Sequence, residues 1–131
     1  MTYQSKIVSV LVDASHEQIY TFAASIENLP QWASRFASGV RQLNGEWFAH
    51  TPMGQVKVSM APDNPYGVLD HDVTLPDGTT VLNALRVSPA GDGSVLTFVV
   101  LRMPGVDAQA FAADVANVEK DLRNLKALME R

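Results

Sequence analysis

Apolar residues recur every three to four positions over the last part of the chain. This apolar stripe consists of Phe111, Val115, Val118, Leu122, Leu125 and Met129. Because an α-helix repeats every 3.6 residues, the spacing places these side chains on one face, and the charged residues between them face water. The pattern predicts one amphipathic helix over residues 107–131, roughly 35 Å long, with Asp107 as its N-cap.

The start of the chain predicts a strand followed by two short helices. Residues 6–12 form an apolar, β-branched run that is typical of a strand. Ser15 then precedes a helical pattern, and Gln18 lies three positions after it, as in an N-terminal capping box. The next segment, residues 26–32, predicts a second short helix or turn that anchors Trp32.

Short apolar runs alternate with tight turns between residues 35 and 103. The turn signals are Asn44-Gly45, Pro52-Met53-Gly54, Asn64-Pro65, Pro76-Asp77-Gly78 and Ala90-Gly91-Asp92-Gly93. Turns this short join antiparallel neighbours, whereas parallel neighbours need a long crossover connection. The sequence therefore predicts about six further antiparallel strands ahead of the final helix.

One hairpin has a register that the alternation of its side chains selects. A two-residue loop at Asp77-Gly78 would mix apolar and polar residues on each face of the strand pair. A three-residue loop with Gly78 left-handed keeps each face uniform, and we therefore favour it. The resulting pairs are Leu69 with Leu85, His71 with Asn83, and Val73 with Val81. One histidine and one asparagine then lie side by side on an otherwise apolar inner face.

The hairpin at residues 52–54 leaves two registers open. A three-residue loop would turn His50 and Glu46 toward the buried face. A four-residue loop places Trp47 opposite Val58 and leaves His50 exposed. We favour the second register because it buries the tryptophan rather than the polar side chains.

Composition and charge exclude several classes of function. Apolar residues make up 47% of the chain and charged residues 18%, which is ordinary for a compact domain. The net charge is −4 and the ten basic residues are scattered, so no basic stripe indicates nucleic-acid binding. No apolar run approaches the ~20 residues of a membrane span, and residues 1–6 do not resemble a secretory leader. We expect one domain over residues 1–131 in a cytoplasmic protein.

Metal and cofactor chemistry has no motif in the sequence. The chain has no cysteine, and its three histidines are not at metal-ligand spacing. No glycine-rich phosphate loop and no nucleophile elbow is present. We therefore expect neither a metal nor a cofactor.

Several segments together resemble a known superfamily. They are residues 8–15, Ile19-Tyr20, residues 28–32, residues 67–73 and residues 121–130. This pattern resembles the START-like superfamily, also called SRPBCC, which includes polyketide cyclase/dehydrase-like proteins; residues 67–73 resemble a subgroup of small bacterial members. The resemblance implies an α+β helix-grip fold: a seven-stranded antiparallel sheet wrapped around the long C-terminal helix, with two short helices after the first strand. It also implies an apolar cavity between the sheet and that helix.

The residues expected to line this cavity come from several elements. They are Leu69, His71, Val73, Val81, Asn83 and Leu85 from the hairpin, Phe111, Val115 and Val118 from the helix, Trp32, Trp47, and Arg102 at the mouth. His71 and Asn83 could together fix one ligand oxygen, or they could satisfy each other or a buried water. An empty cavity of about 300 Å³ would cost about 7 kcal/mol, so such a space should hold ligand, water or collapsed side chains.

Three functions follow from these expectations. The first is binding of a small hydrophobic molecule, such as a lipid, polyketide or aromatic metabolite. The second is a cyclase or dehydratase in which His71 is the general acid/base and Asn83 orients an oxygen. The third is a protein-interaction module with a filled core and an exposed apolar patch on the outer sheet face. The sequence does not distinguish a monomer from a homodimer.

Overall fold

A computed structural model describes residues 2–131. Met1 therefore lies outside the described residues, and it is the first residue of the segment 1–6 that was compared with a secretory leader. The strands are β1 (Ser5–Val12), β2 (Gly39–Leu43), β3 (Glu46–Thr51), β4 (Gly54–Met60), β5 (His71–Thr74), β6 (Thr80–Ala90) and β7 (Gly93–Leu101). The helices are α1 (His16–Ala24), α2 (Leu29–Trp32) and α3 (Ala108–Met129), and a 3-10 turn at Ile26–Asn28 joins α1 to α2.

The seven strands form one antiparallel sheet in the order β1-β7-β6-β5-β4-β3-β2. The long crossing between β1 and β2 carries the two short helices, and α3 follows β7 and packs against β1 and β7. This arrangement confirms the predicted helix-grip α+β fold, with a seven-stranded sheet, a long C-terminal helix and two short helices after the first strand.

Both short-range signals for helix starts are confirmed. The Ser15 side chain accepts a hydrogen bond from the backbone N–H of Gln18 at 3.2 Å, and the Asp107 carboxylate accepts one from the N–H of Ala110 at 2.8 Å. Each bond satisfies a backbone donor that the first helical turn leaves unpaired.

Helix α3 is fixed to the sheet by its apolar stripe and by two polar contacts near its end. Phe111, Leu122 and Leu125 are buried. The Lys126 ammonium donates to the carbonyl oxygen of Leu11 at 3.0 Å, and the Glu130 carboxylate accepts from the N–H of Asp13 at 2.8 Å. The last turns of α3 therefore satisfy backbone groups at and just beyond the end of the edge strand β1.

The two hairpin registers favoured from the sequence are the observed ones. Strands β5 and β6 pair His71 with Asn83 and Val73 with Val81, and Gly78 is left-handed with φ of 90°. Strands β3 and β4 pair Trp47 with Val58, and His50 is exposed. Side-chain alternation decides both registers because one face of the sheet is buried.

The loop between β4 and β5 is organised by one asparagine and one glycine. The Asn64 side chain accepts from the N–H groups of Tyr66 and Val68 at 3.0 and 3.1 Å. Gly67 has φ of 74° and lies so close to β6 that a Cβ atom there would be 2.0 Å from the carbonyl oxygen of Val87. The loop therefore returns to the sheet with a fixed shape at residues 68–71.

Candidate functional site

A small void lies between the inner face of the sheet and the two short helices. Its volume is about 10 Å³, and its lining residues are Ala23, Ile26, Leu29, Trp32, Val58, Met60, His71 and Leu85. A buried water needs about 10–15 Å³ of such space, so the void has room for about one water molecule. The polar side chains among the described lining residues are those of Trp32 and His71.

His71 begins strand β5 and is 9% exposed. Its Nδ1 atom lies 3.0 Å from the carbonyl oxygen of Leu69, and its ring meets the ring of Phe98 edge-on at a centroid distance of 6.4 Å. Burial lowers the pKa of His71 below its ordinary value of 6.5 because the charged imidazolium is poorly solvated inside the protein. At neutral pH the imidazole is therefore uncharged.

The two aspartates that flank His71 in sequence do not form a relay with it. The Asp70 carboxylate accepts from the Arg86 guanidinium and from the backbone N–H of Leu85, each at 3.1 Å. Asp72 is exposed on the outer face. Because strand side chains alternate between faces, the histidine faces inward without a carboxylate partner among residues 2–131.

Trp32 ends helix α2 and is 4% exposed. Its indole Nε1–H has no hydrogen-bond partner within residues 2–131. The backbone carbonyl of the same residue accepts from the Asn124 amide of α3 at 3.3 Å, which ties α2 to the long helix. A buried donor left unpaired costs about 1–3 kcal/mol, so an oxygen atom beside this N–H would stabilise the protein.

Among the other hairpin residues expected at the site, one lines the void and the rest do not. Leu85 lines it directly. Leu69 and Val73 are fully buried in the core next to it, whereas Asn83 and Val81 are half-buried. Asn83 is the cross-strand neighbour of His71, but it is not among the described residues that line the void.

The void is bounded by the short helices rather than by α3. Phe111 is buried and Val115 and Val118 are half-buried against the core, yet no α3 residue within the described chain lines the void. Trp47 likewise packs half-buried on the core and lies opposite the lining residue Val58, but it does not itself line the void within the described chain. Helix α3 packs against β1 and β7, whereas the void adjoins β4, β5 and β6.

Arg102 has a structural role in this conformation. Its Nε atom donates to the carbonyl oxygen of Val106 at 2.7 Å, and Nη1 donates to the Gln4 side chain at 3.1 Å. The guanidinium thus holds the connection between β7 and α3 against the start of the chain, instead of facing a ligand at the cavity mouth.

Five lining residues and one acid on α3 were missed by the sequence reasoning; of the lining residues, Val58 and Met60 come from β4. Ala23, Ile26 and Leu29 form the helical wall of the void. Asp121, expected in water, is half-buried with Oδ1 unpaired among the described residues, and burial raises its pKa to about 6 against the opposing charges of Arg35 and Lys120. The sequence contains a signal for this burial. Asp121 lies three residues after Val118 and four before Leu125, and this spacing places it beside both apolar residues on the helix surface.

The outer face of the sheet carries exposed apolar side chains at β1. Ile7 and Leu11 are 64% and 68% exposed. Their cross-strand neighbours on β7 are Val99 and Val95. These four residues form an apolar strip on the side of the sheet opposite the void, which the polar pair Ser9 and Thr97 interrupts in the middle.

Comparisons with known proteins identify the fold. No family model and no curated protein matches the chain. XoxI from Bacillus cereus matches with a TM-score of 0.75 and 13% identity over 95% of this chain and 94% of its own. The Aha1 dimer from Colwellia psychrerythraea matches at 0.69 and 15%, over 97% and 96%. DynU16, from the dynemicin biosynthetic locus, matches at 0.70 and 16%, over 96% of this chain and 47% of its own.

These likenesses agree with a helix-grip fold, and at such identities they show the fold alone. No helix within residues 2–131 has the length and apolar character needed to cross a membrane. Within the same residues no cluster of three histidine, aspartate or glutamate side chains could hold a metal ion.

Proposed function

We propose that this protein binds a small, largely apolar molecule in its interior, between the short helices and strands β4 to β6. One observation carries the proposal: an apolar wall surrounds two buried polar side chains whose hydrogen-bonding capacity is unused within the described residues. These are Trp32, whose indole N–H is buried without a partner, and His71, whose described hydrogen bond uses Nδ1 and leaves Nε2 over. Binding sites for small molecules commonly combine apolar walls with a few such polar groups.

The void must enlarge to accept anything bigger than a water molecule, and its lining offers two ways to do so. Met60 is half-buried at the end of β4 and has an unbranched side chain that adopts many shapes. Helix α2 is a single turn without a side-chain cap. A ligand that displaces Met60 and shifts α2 would gain space without disturbing the sheet. Lipids, polyketides and aromatic metabolites are the ligand classes that we propose.

Binding is favoured over catalysis by the chemistry of the lining. His71 is the single titratable group among the described lining residues. General acid–base catalysis of a cyclisation or dehydration needs a proton donor and acceptor near the reacting atoms, and a neutral His71 supplies one basic nitrogen. His71 therefore remains the candidate for the cyclase or dehydratase alternative, with Asn83 as its cross-strand neighbour outside the described lining.

A protein-interaction module is the second candidate. Two observations favour it: the interior is nearly filled, and the strip formed by Ile7, Leu11, Val95 and Val99 is apolar on the outer face. Under this alternative, replacement of Leu11 by lysine would abolish an association, whereas replacement of His71 would change only the free energy of unfolding.

The proposed function is tested by purifying the protein under native conditions, extracting it with organic solvent and identifying the extracted compounds by mass spectrometry. We expect one apolar compound in near-stoichiometric amount, and less of it from the His71→Phe variant than from a His50→Phe control, because His50 is exposed. An empty extract, together with no saturable binding of an added apolar probe, would contradict the proposal.

A further inference from the structure

We infer that the ligand is uncharged and carries a hydroxyl group, whose oxygen accepts from the indole N–H of Trp32 and donates to the imidazole of His71. This inference rests on the proposed function and names the chemical class of the ligand. In the free protein a single water molecule would occupy the same position, since the void has room for about one.

The two polar groups at the void are complementary rather than equivalent. Because the carbonyl of Leu69 can only accept, the Nδ1 atom of His71 carries the ring proton, and Nε2 of the neutral ring is an acceptor. The Nε1–H of Trp32 is a donor without a partner among residues 2–131. One oxygen that both accepts and donates satisfies both groups. A hydroxyl does this, whereas a ketone or ether oxygen can only accept.

The imidazole is held in place before a ligand arrives. His71 is fixed by its bond to Leu69 and by the edge-on contact with Phe98. Since this ring does not have to be ordered on binding, its contact with the ligand loses little conformational entropy.

A charged ligand group would be poorly accommodated at this position. No lysine or arginine is among the described residues that line the void, and the histidine is neutral. The charges nearest to His71 in sequence are the carboxylates of Asp70 and Asp72, which would repel an anion. A buried carboxylate without a cation partner is strongly disfavoured, so an acid of the same shape should bind much more weakly than the alcohol or phenol.

The test uses three ligands of one shape: naphthalene, 1-naphthol and 1-naphthoate. Affinities are measured by calorimetry, and the two indole N–H signals of Trp32 and Trp47 are followed by NMR in the wild-type protein. We expect 1-naphthol to bind most tightly and 1-naphthoate most weakly. We expect 1-naphthol to move the Trp32 signal downfield more than naphthalene does. The two ligands should affect the Trp47 signal equally, because Trp47 neighbours Val58 but does not line the void within the described chain.

Two variants separate the hydrogen bond from the apolar contact. Trp32→Phe should reduce the affinity for 1-naphthol roughly five- to tenfold, the worth of one hydrogen bond, and leave naphthalene nearly unaffected. Trp47→Phe is the matched control and also assigns the two indole signals. The inference would be overturned if 1-naphthoate bound as tightly as 1-naphthol, or if Trp32→Phe weakened both neutral ligands equally. If none of the three ligands bound, the proposed function itself would fail.

Discussion

The Nδ1 atom of His71 lies 3.0 Å from the carbonyl oxygen of Leu69, and this bond determines what the imidazole offers to the interior. Because the carbonyl accepts, the ring proton stays on Nδ1 and the Nε2 atom is free to accept. The same burial that lowers the pKa of His71 keeps the ring uncharged at neutral pH. At neutral pH this sheet position therefore presents a neutral hydrogen-bond acceptor to the interior.

Acidification should destabilise the protein through His71. Its pKa is lowered in the folded state, so the unfolded chain binds the proton first as the pH falls below 6.5. The stabilisation is complete above pH 6.5 and is lost as the pH falls toward the folded-state pKa. The unfolding free energy is measured by urea denaturation at pH 7.5 and at pH 5.5. We expect the decrease between the two pH values to be smaller for His71→Phe than for wild type. An equal loss in both would contradict this interpretation, and His50→Phe is the control expected to behave as wild type.

Asp121 should have the opposite pH dependence. Burial raises its pKa to about 6, so the folded protein holds this proton more tightly than the unfolded chain. Stability from this group is highest below about pH 4 and falls as the pH rises to about 6.

Replacing this acid by its amide should remove that dependence. We expect Asp121→Asn to raise the unfolding free energy at pH 7 by about 1 kcal/mol, less than the full shift implies because the carboxyl is partly solvated. The substitution should also flatten the dependence of the unfolding free energy on pH between pH 4 and pH 6. Asp92→Asn, in the exposed β6–β7 turn, is the control. A destabilised Asp121→Asn variant at pH 7 would indicate that the attraction to Arg35 outweighs burial.

Gly67 should tolerate no side chain. A Cβ atom there would lie 2.0 Å from the carbonyl oxygen of Val87, and the φ of 74° is itself unfavourable for other residues. We expect Gly67→Ala to lower the unfolding free energy by about 3 kcal/mol or more.

The matched control for that clash is Gly105, which has φ of 84° and no atom within 4 Å of the position that a Cβ would take. Gly105→Ala should lose only about 1–2 kcal/mol from backbone strain. Thermal or urea denaturation of the two variants gives the comparison. Equal losses would mean that the contact with Val87 relaxes without cost.

Met60→Ala should enlarge the void enough for it to bind a small apolar molecule. Shortening this side chain should lower the unfolding free energy by about 2 kcal/mol, at the low end for core methionines because Met60 is only half-buried. The variant should also bind benzene, as other apolar cavities of engineered origin do. Met53→Ala, at an exposed position in the β3–β4 turn, should change neither property. Calorimetric titration with benzene decides the matter, and no binding by the folded variant would contradict the assigned lining.

The sequence predicts the parts of this structure that depend on local periodicity. The pairing of His71 with Asn83 follows from side-chain alternation and the Gly78 turn, and the caps at Ser15 and Asp107 follow from local hydrogen-bonding chemistry. These features are decided within a few residues of sequence or between adjacent strands. The strand pairing and the helix caps can therefore be predicted without the tertiary structure.

The position of the void could not be predicted in the same way. It depends on how closely α2 and α3 approach the sheet, which is a property of packing between distant segments. The bond from Asn124 to the carbonyl of Trp32 spans 92 residues, and the contact of Arg102 with Gln4 spans 98. Neither leaves a periodic signal, so Trp32 was expected at the cavity without its unpaired N–H, and Arg102 was expected at the cavity mouth.

The central claim is that an apolar molecule binds inside the protein and not on its outer face, and one titration tests it most directly. N-phenyl-1-naphthylamine, an uncharged apolar fluorophore, is titrated into wild type, Met60→Ala and Leu11→Lys. We expect one saturable site per chain, with an affinity that Met60→Ala changes and that Leu11→Lys leaves unaltered. A fluorescence increase that never saturates, or one that Leu11→Lys abolishes, would contradict an interior site and assign the apolar surface of β1 as the place of interaction.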